Sequence, residues 1–200
     1  MTLHLICKPA KAGNLLLFRY QVQNHGASDV YVMDAMPMTA PDGKTGVNPN
    51  AVLVALGEEA LAIVGKVLAP MPADRRMAVA AVPLACRIAP GGTLESELKI
   101  PLPFAETSPY YADARLRSYE PADITATCFV LGYWEAGAVA APAAYGSAHF
   151  RVAANGGAGL HYVSQRFPTN GLQLLKRTDS FARPAAGWPA IGGAASSRLQ

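Results

Sequence analysis

From Leu16 the even residues Phe18, Tyr20 and Val22 fall on one side of an extended chain, while Arg19, Gln21 and Gln23 fall on the other. A period of two marks a half-buried β-strand, with one face making core and the other meeting water. The alternation breaks at Asn24-His25-Gly26-Ala27-Ser28-Asp29 and then resumes, which predicts a β-hairpin between Asn14 and Asp34. The same grammar recurs to about residue 167. It predicts strands over 3–8, 15–24, 30–36, 50–56, 61–68, 78–88, 93–102, 125–134, 147–154 and 160–167.

The punctuation between these strands is turn chemistry. Gly57-Glu58-Glu59-Ala60 reads as a four-residue hairpin loop. Helix competes there through Ala, Leu and Glu, but the β-branched residues and the bounding Gly57 and Gly65 favour strands. Ala89-Pro90-Gly91-Gly92 is a tight turn, with proline supplying a fixed φ and glycine a positive one. After it Thr93, Glu95, Glu97 and Lys99 alternate with Leu94, Ser96, Leu98 and Ile100, so this strand has a charged outer face, and Pro101 and Pro103 end its ladder. From Cys128 to Trp134 bulky side chains occupy both faces, which predicts a central strand. Asn155-Gly156-Gly157-Ala158-Gly159 predicts a further hairpin joining 147–154 to 160–167. From Arg183 onward periodicity is lost in a run of Ala, Gly, Pro and Ser, as expected of a flexible tail over 183–200 behind a single domain over 1–182.

Many short strands separated by turns favour an all-β sandwich over an alternating α/β fold. The strand through Tyr20, the Pro-Gly turn and the Phe129 to Trp134 strand together resemble an immunoglobulin-like antiparallel β-sandwich of the sort found in uncharacterised bacterial proteins, over roughly residues 1–154, with an extra hairpin after it. The strand 15–24 has no cysteine to pair with Cys128, so the inter-sheet disulfide of antibody domains has no counterpart. The resemblance is one of architecture and transfers no active residues.

Composition adjusts this picture in three ways. Hydrophobic residues make up 51% of the 200 and charged residues 16%, more apolar material than a highly soluble monomer needs, so some of it faces a partner or is neutral alanine filler. A net charge of +3 is too small a surplus to build a phosphate-tracking stripe, and nucleic acid is not expected as a partner. No apolar run reaches the length of a membrane helix, and Met1 to Pro9 carries no secretory signal pattern. Cys7, Cys86 and Cys128 are odd in number and lie in predicted strands, which fits free thiols in a reducing cytoplasm; a disulfide between two of them is the alternative.

Motifs for chemistry are absent or incomplete. Gly43-Lys44-Thr45 ends like a phosphate loop, but Met38 stands where its first glycine is required, so Pro41-Asp42-Gly43 reads as a turn. His4, His25, His149 and His161 are never spaced as a local chelate; His149 and His161 would face each other across the last hairpin, as a cross-strand polar pair rather than a two-imidazole metal site. Arg87 beside Cys86 hints at an activated thiol, although a strand cysteine is more often a small buried hydrophobe. No catalytic, cofactor-binding or metal-binding residue is therefore assigned. The longest connection, 103–123, carries Tyr110, Tyr111, Arg115, Arg117 and Tyr119, residue types enriched where interfaces concentrate their energy, and Trp188 adds an aromatic in the tail. The bland reading of the tyrosines is that they cover the open end of the sandwich. The expected function is non-catalytic: a cytoplasmic sandwich that docks a protein partner, or a second copy of itself, through loops and edge strands. The alternative is an enzyme or metal-binding protein whose site is assembled from dispersed histidines and carboxylates such as Asp34 or Asp113.

Overall fold

The computed structural model describes residues 3–39, 42–72, 81–111, 118–138, 142–153, 158–169, 171–179 and 181–184. In chain order its strands are β1 (Leu3–Ala12), β2 (Leu15–Asn24), β3 (Val30–Thr39), β4 (Thr45–Asn48), β5 (Leu53–Leu56), β6 (Leu61–Lys66), β7 (Leu84–Ile88), β8 (Thr93–Pro101), β9 (Tyr119–Asp123), β10 (Ala126–Glu135), β11 (Ala143–Tyr145), β12 (His149–Arg151), β13 (Leu160–Pro168) and β14 (Gln173–Arg177). Single 3-10 turns lie at Glu58–Ala60 and Pro109–Tyr111. The all-β expectation holds, and no helix among the described residues is long and apolar enough to cross a membrane.

Strands β1, β2 and β8 form a three-stranded antiparallel sheet in the order β1-β2-β8. Its inner face is the alternation read in the sequence: Leu16, Phe18, Tyr20 and Val22 of β2 are buried with Leu3, Leu5 and Cys7 of β1 and with Leu98 and Ile100 of β8. Each such aliphatic or aromatic side chain contributes about 1.5–3 kcal/mol by leaving water. The outer face carries Arg19 opposite Glu97 and Gln21 opposite Glu95, with side-chain hydrogen bonds of 2.7 and 2.8 Å.

The facing sheet runs β11-β12-β7-β3-β10-β6-β5, with β13 also on β10 and β4 on β3. Strand β10 is its axis, as its doubly apolar sequence predicts, and Ala126 to Trp134 are all buried. One edge of β10 pairs with β13 from Ala126 to Trp134. The other edge is shared: β6 pairs with Ala126 to Leu131, then β3 takes over from Tyr133 to Glu135. The handover falls at Gly132, where a Cβ would sit 2.8 Å from Met33 Sδ, so a larger residue would force Met33 out of its place. The β6–β10 pairing is parallel, a departure from the antiparallel sandwich expected.

Two predicted hairpins are not formed. Strands β2 and β3 lie in different sheets, so the turn after Asn24 carries the chain across the sandwich. Strand β12 adds to β7 and β13 adds to β10, so residues 147–167 make two separate additions to the large sheet, and Asn155, Gly156 and Gly157 lie outside the described residues. Turn chemistry alone does not separate a chain that doubles back from one that changes layer. The β5–β6 hairpin is present as read, with Glu59 and Ala60 at positive φ.

The Ala89 to Gly92 turn also crosses between sheets, from β7 to β8, and Asn24 fastens the two crossings together. Asn24 is fully buried; its amide donates to the carbonyls of Ser28 (2.8 Å) and Ile88 (3.0 Å), its Oδ1 accepts from Gly26 N (2.9 Å), and its backbone pairs with Gly91 and Gly92.

A third layer covers the outside of the large sheet. Leu53, Ala55, Leu61, Ile63, Cys128 and Val130 pack under Tyr110, Tyr111 and Phe181, and a separate cluster joins Met33, Ala85, Trp134 and Val152. Burial on both faces explains why β6 and β10 read as continuous apolar runs. The 103–123 connection is partly regular: Thr107 bridges to Val54 of β5, Ala105 bridges to Leu175 of β14, and β14 pairs with β9. The edge of β5 is thereby closed.

Candidate functional site

A polar cluster interrupts the apolar interior between the two sheets. Its members all occupy inward positions: Tyr20 on β2, Asp34 on β3, Lys66 on β6, Cys86 on β7 and His149 on β12. The β3–β7 register slips between Met33 and Ala35, leaving Asp34 as the bulged residue. Asp34 Oδ1 accepts from Tyr20 Oη (2.6 Å) and from Lys66 Nζ (3.0 Å). Lys66 Nζ also donates to Tyr20 Oη (2.7 Å) and to the Asp34 carbonyl, so its three protons are used. Asp34 Oδ2 takes a weak donation from Cys86 Sγ at 3.7 Å and lies 3.6 Å from His149 Nε2.

The electrostatics follow from burial and this pairing. Burial works against charge on Asp34, but the Lys66 ammonium and the hydrogen bonds from Tyr20 and Lys66 outweigh it and hold the carboxyl below its ordinary range. Burial pulls Lys66 down, with Asp34 opposing. Burial and then the Asp34 charge push the Tyr20 phenol up, and the same two causes push the Cys86 thiol up to about 12. A thiol held neutral is a poor nucleophile. Arg87, on the opposite face of β7, is occupied by Asp29 at 2.7 Å and gives Cys86 no activation.

Asp34, Cys86 and His149 were each visible in the sequence singly, and the register of three adjacent strands brings them together. Lys66 carries no motif, but its parity with Ala62 and Val64 along an inward strand face is a signal of a buried charge. His149 stands opposite Cys86, not His161, whose ring instead packs against Tyr133 with centroids 5.4 Å apart. His4 and His25 lie near each other, ring centroids 6.1 Å apart, away from this cluster.

Of the proposed contact residues, Tyr110 and Tyr111 are buried, at 7% and 2% exposure. Their hydroxyls accept from the backbone N–H groups of Ala81 and Ala182, each at 3.0 Å. Tyr119 is half-buried on the edge strand β9. Arg115, Arg117 and Trp188 lie outside the described residues, as does Asp113.

A second buried charge organises this region. Glu106, fully buried, accepts from the backbone N–H groups of Leu56 (2.8 Å) and Arg177 (2.7 Å) and from Arg183 Nε (2.8 Å) and Nη2. Arg183, where the sequence predicts a loose tail to begin, is thus tied to the body. Arg177 pairs with Asp179 and stacks over Tyr111, 4.6 Å from the ring centroid.

A cleft of about 710 Å³ opens where β3, β7 and β12 end. Met36, Pro37, Met38, Pro83, Leu84 and Val152 make its walls, and Arg151 is the charged side chain lining it. Met38 is 43% exposed there.

All three cysteines are free, Cys7 and Cys128 buried and Cys86 half-buried. Burial pushes Cys7 up to about 12 from 9.0. A raised thiol pKa favours the folded state fully below the unfolded value and is lost as pH rises past it. Unfolding free energy is therefore expected to hold up to about pH 9 and to decline above it. Cys7→Ala should make the decline shallower by about 1.4 kcal/mol per pH unit between pH 10 and 11, read from urea midpoints across pH. An unchanged slope would show that the Cys7 thiol ionises inside the folded chain as readily as outside it.

No family model, no curated protein and no solved structure matches this chain significantly.

Proposed function

We propose that the chain is a non-catalytic binding protein that takes an extended, largely apolar segment of a partner protein, carrying an acidic side chain, into the cleft beside β3 and β12. The observation that carries this reading is the wall itself. It joins two methionines, the three prolines Pro37, Pro83 and Pro109, Leu84 and Val152 to a single cation, Arg151, in a space within the range of sites that enclose a ligand chain. Methionine surfaces adapt to the side chains laid on them, and Arg151 supplies a counter-charge for one carboxylate. The polar groups of the interior support a binding role over catalysis, because the Tyr20 hydroxyl, the Lys66 ammonium and Asp34 Oδ1 are spent on one another.

On this reading the fold is immunoglobulin-like. Support comes from a β1-β2-β8 sheet facing β7-β3-β10-β13, with the chain changing layer after β2 and again after β7. The free thiols agree with a cytoplasmic protein.

Panning a displayed peptide library on the full chain tests the proposal. Selected peptides should share apolar positions around one Asp or Glu. Met38→Asp and Arg151→Glu should each weaken them at least about tenfold, the loss of one well-made contact, with melting temperature unchanged. Selection of no peptide, or peptides indifferent to both substitutions, would remove the cleft as the docking surface.

A further inference from the structure

Three neighbouring strands of the large sheet each deliver one metal-ligating atom to the same point between the layers. Cys86 on β7 and His149 on β12 are directly opposed in their ladder, and Cys86 is opposed on its other side by Val32, two residues before Asp34 on β3. The bulge that ends at Ala35 leaves Asp34 free of the ladder and on the face that Cys86 and His149 share. Asp34 Oδ2 is 3.6 Å from His149 Nε2 and 3.7 Å from Cys86 Sγ, and the three atoms all lie within 4.8 Å of one another.

These separations suit one ion better than they suit one another. Zinc bonds of about 2.0–2.2 Å to nitrogen and oxygen and about 2.3 Å to sulfur place tetrahedral ligands about 3.3–3.6 Å apart. The Asp34 edges match that spacing within a few tenths of an ångström, while the carboxylate-to-imidazole distance is too long for a hydrogen bond. His149 Nε2 is a second, independent sign: it is buried and has no hydrogen-bond partner. A buried imidazole nitrogen left without a partner is unusual, and a ligated cation would satisfy it.

We propose that Asp34 Oδ2, Cys86 Sγ and His149 Nε2 form a three-ligand site for a thiophilic divalent cation of the zinc class, with a fourth position open to water. The donor set is right for that class, since thiolate and imidazole select it over calcium and magnesium. Tyr20 and Lys66 hold Oδ1, which fixes the carboxylate and aims Oδ2 at the other two ligands, the orienting role that outer groups take around metals. His149 retains 18% side-chain exposure and Cys86 is half-buried, which leaves a route of entry from solvent. Coordination replaces the Cys86 S–H bond with a metal–sulfur bond and releases the proton to water. Carboxylate and thiolate together balance a dication. The Lys66 ammonium on Oδ1 draws charge from the ligand, so affinity is lower than for a closed four-ligand site.

The test uses the full chain, freed of any affinity tag, stripped with chelator and titrated with Co²⁺, then with Zn²⁺. One equivalent of Co²⁺ should bind at neutral pH with a thiolate-to-cobalt charge-transfer band and the intense visible bands of tetrahedral cobalt, both abolished by Zn²⁺. Cys86→Ala should remove the charge-transfer band and weaken binding at least about 100-fold, and His149→Gln should weaken it comparably, because losing a ligand costs no less than losing an outer-shell partner. Cys7→Ala and Cys128→Ala should leave spectrum and stoichiometry as they were. Circular dichroism establishes that each variant is folded; should Cys86→Ala fail there, His149→Gln decides, since His149 Nε2 makes no hydrogen bond to lose. Failure to bind stoichiometric Co²⁺, or a thiolate band that survives Cys86→Ala, would overturn the site. Both outcomes are independent of what the apolar cleft binds.

Discussion

Lys66→Met is expected to lower the unfolding free energy by about 3–5 kcal/mol, because it strands the Asp34 carboxylate in the interior without its counter-charge. The Lys66 side chain is 1% exposed and that of Asp34 is 10%, so water cannot take over the missing partner's role. Adding Asp34→Asn should recover most of the loss, to within about 1–2 kcal/mol of the starting chain, since no charge then remains and the amide oxygen still accepts from Tyr20. The cycle is read from urea midpoints at constant m-value. A Lys66→Met variant within about 1 kcal/mol of the parent would mean that the carboxylate is satisfied by Tyr20 and neighbouring donors alone.

Glu106→Ala is expected to have an effect of similar size, about 3–5 kcal/mol, through a different route. The carboxylate ends two backbone N–H groups, Leu56 on β5 and Arg177 on β14, and holds the Arg183 guanidinium. Its removal leaves buried donors unpaired and releases the segment from 181 to 184 from the sheet. Hydrogen exchange should therefore quicken at the Leu56 and Arg177 amides while the β1–β2 ladder keeps its protection. Glu120→Ala is the control: its partner Lys176 is on the surface, and no measurable change is expected. Uniform loss of protection across both sheets would show that Glu106 supports the whole fold rather than one margin of it.

How much of this was readable in advance depends on how local each feature is. Strands β1, β2, β3, β8, β10 and β13 announce themselves by alternation or by β-branched and aromatic content. The four unread strands are short and hold poor strand formers: Thr45-Gly-Val-Asn, Tyr119-Glu-Pro-Ala-Asp, Ala143-Ala-Tyr and Gln173 to Arg177. They exist because a neighbouring edge supplies hydrogen bonds, which no window of sequence contains. The same limit governs the polar cluster. Asp34, Cys86 and His149 are each more than fifty residues from the next, and a one-residue slip in any ladder would turn its ligand to the other face. Glu106 had no signal at all. It sits in an irregular stretch, and only the approach of β5 and β14 makes its carboxylate a buried acceptor.

The parallel union of β6 with β10 has a further consequence for how the molecule is made. Leu61 must wait for Ala126, about 65 residues later, before its strand has a partner on that side. At a synthesis rate of about 5–20 residues per second, a nascent chain carries the greasy β5–β6 hairpin with its β6 margin bare for about 3–13 seconds, and its β5 margin stays bare until Thr107 is made. The tendency of newly made chains to clump is thus expected to track translation speed through residues 66 to 126 more closely than the stability of the finished fold, read as soluble yield when that stretch is recoded for slow or fast translation.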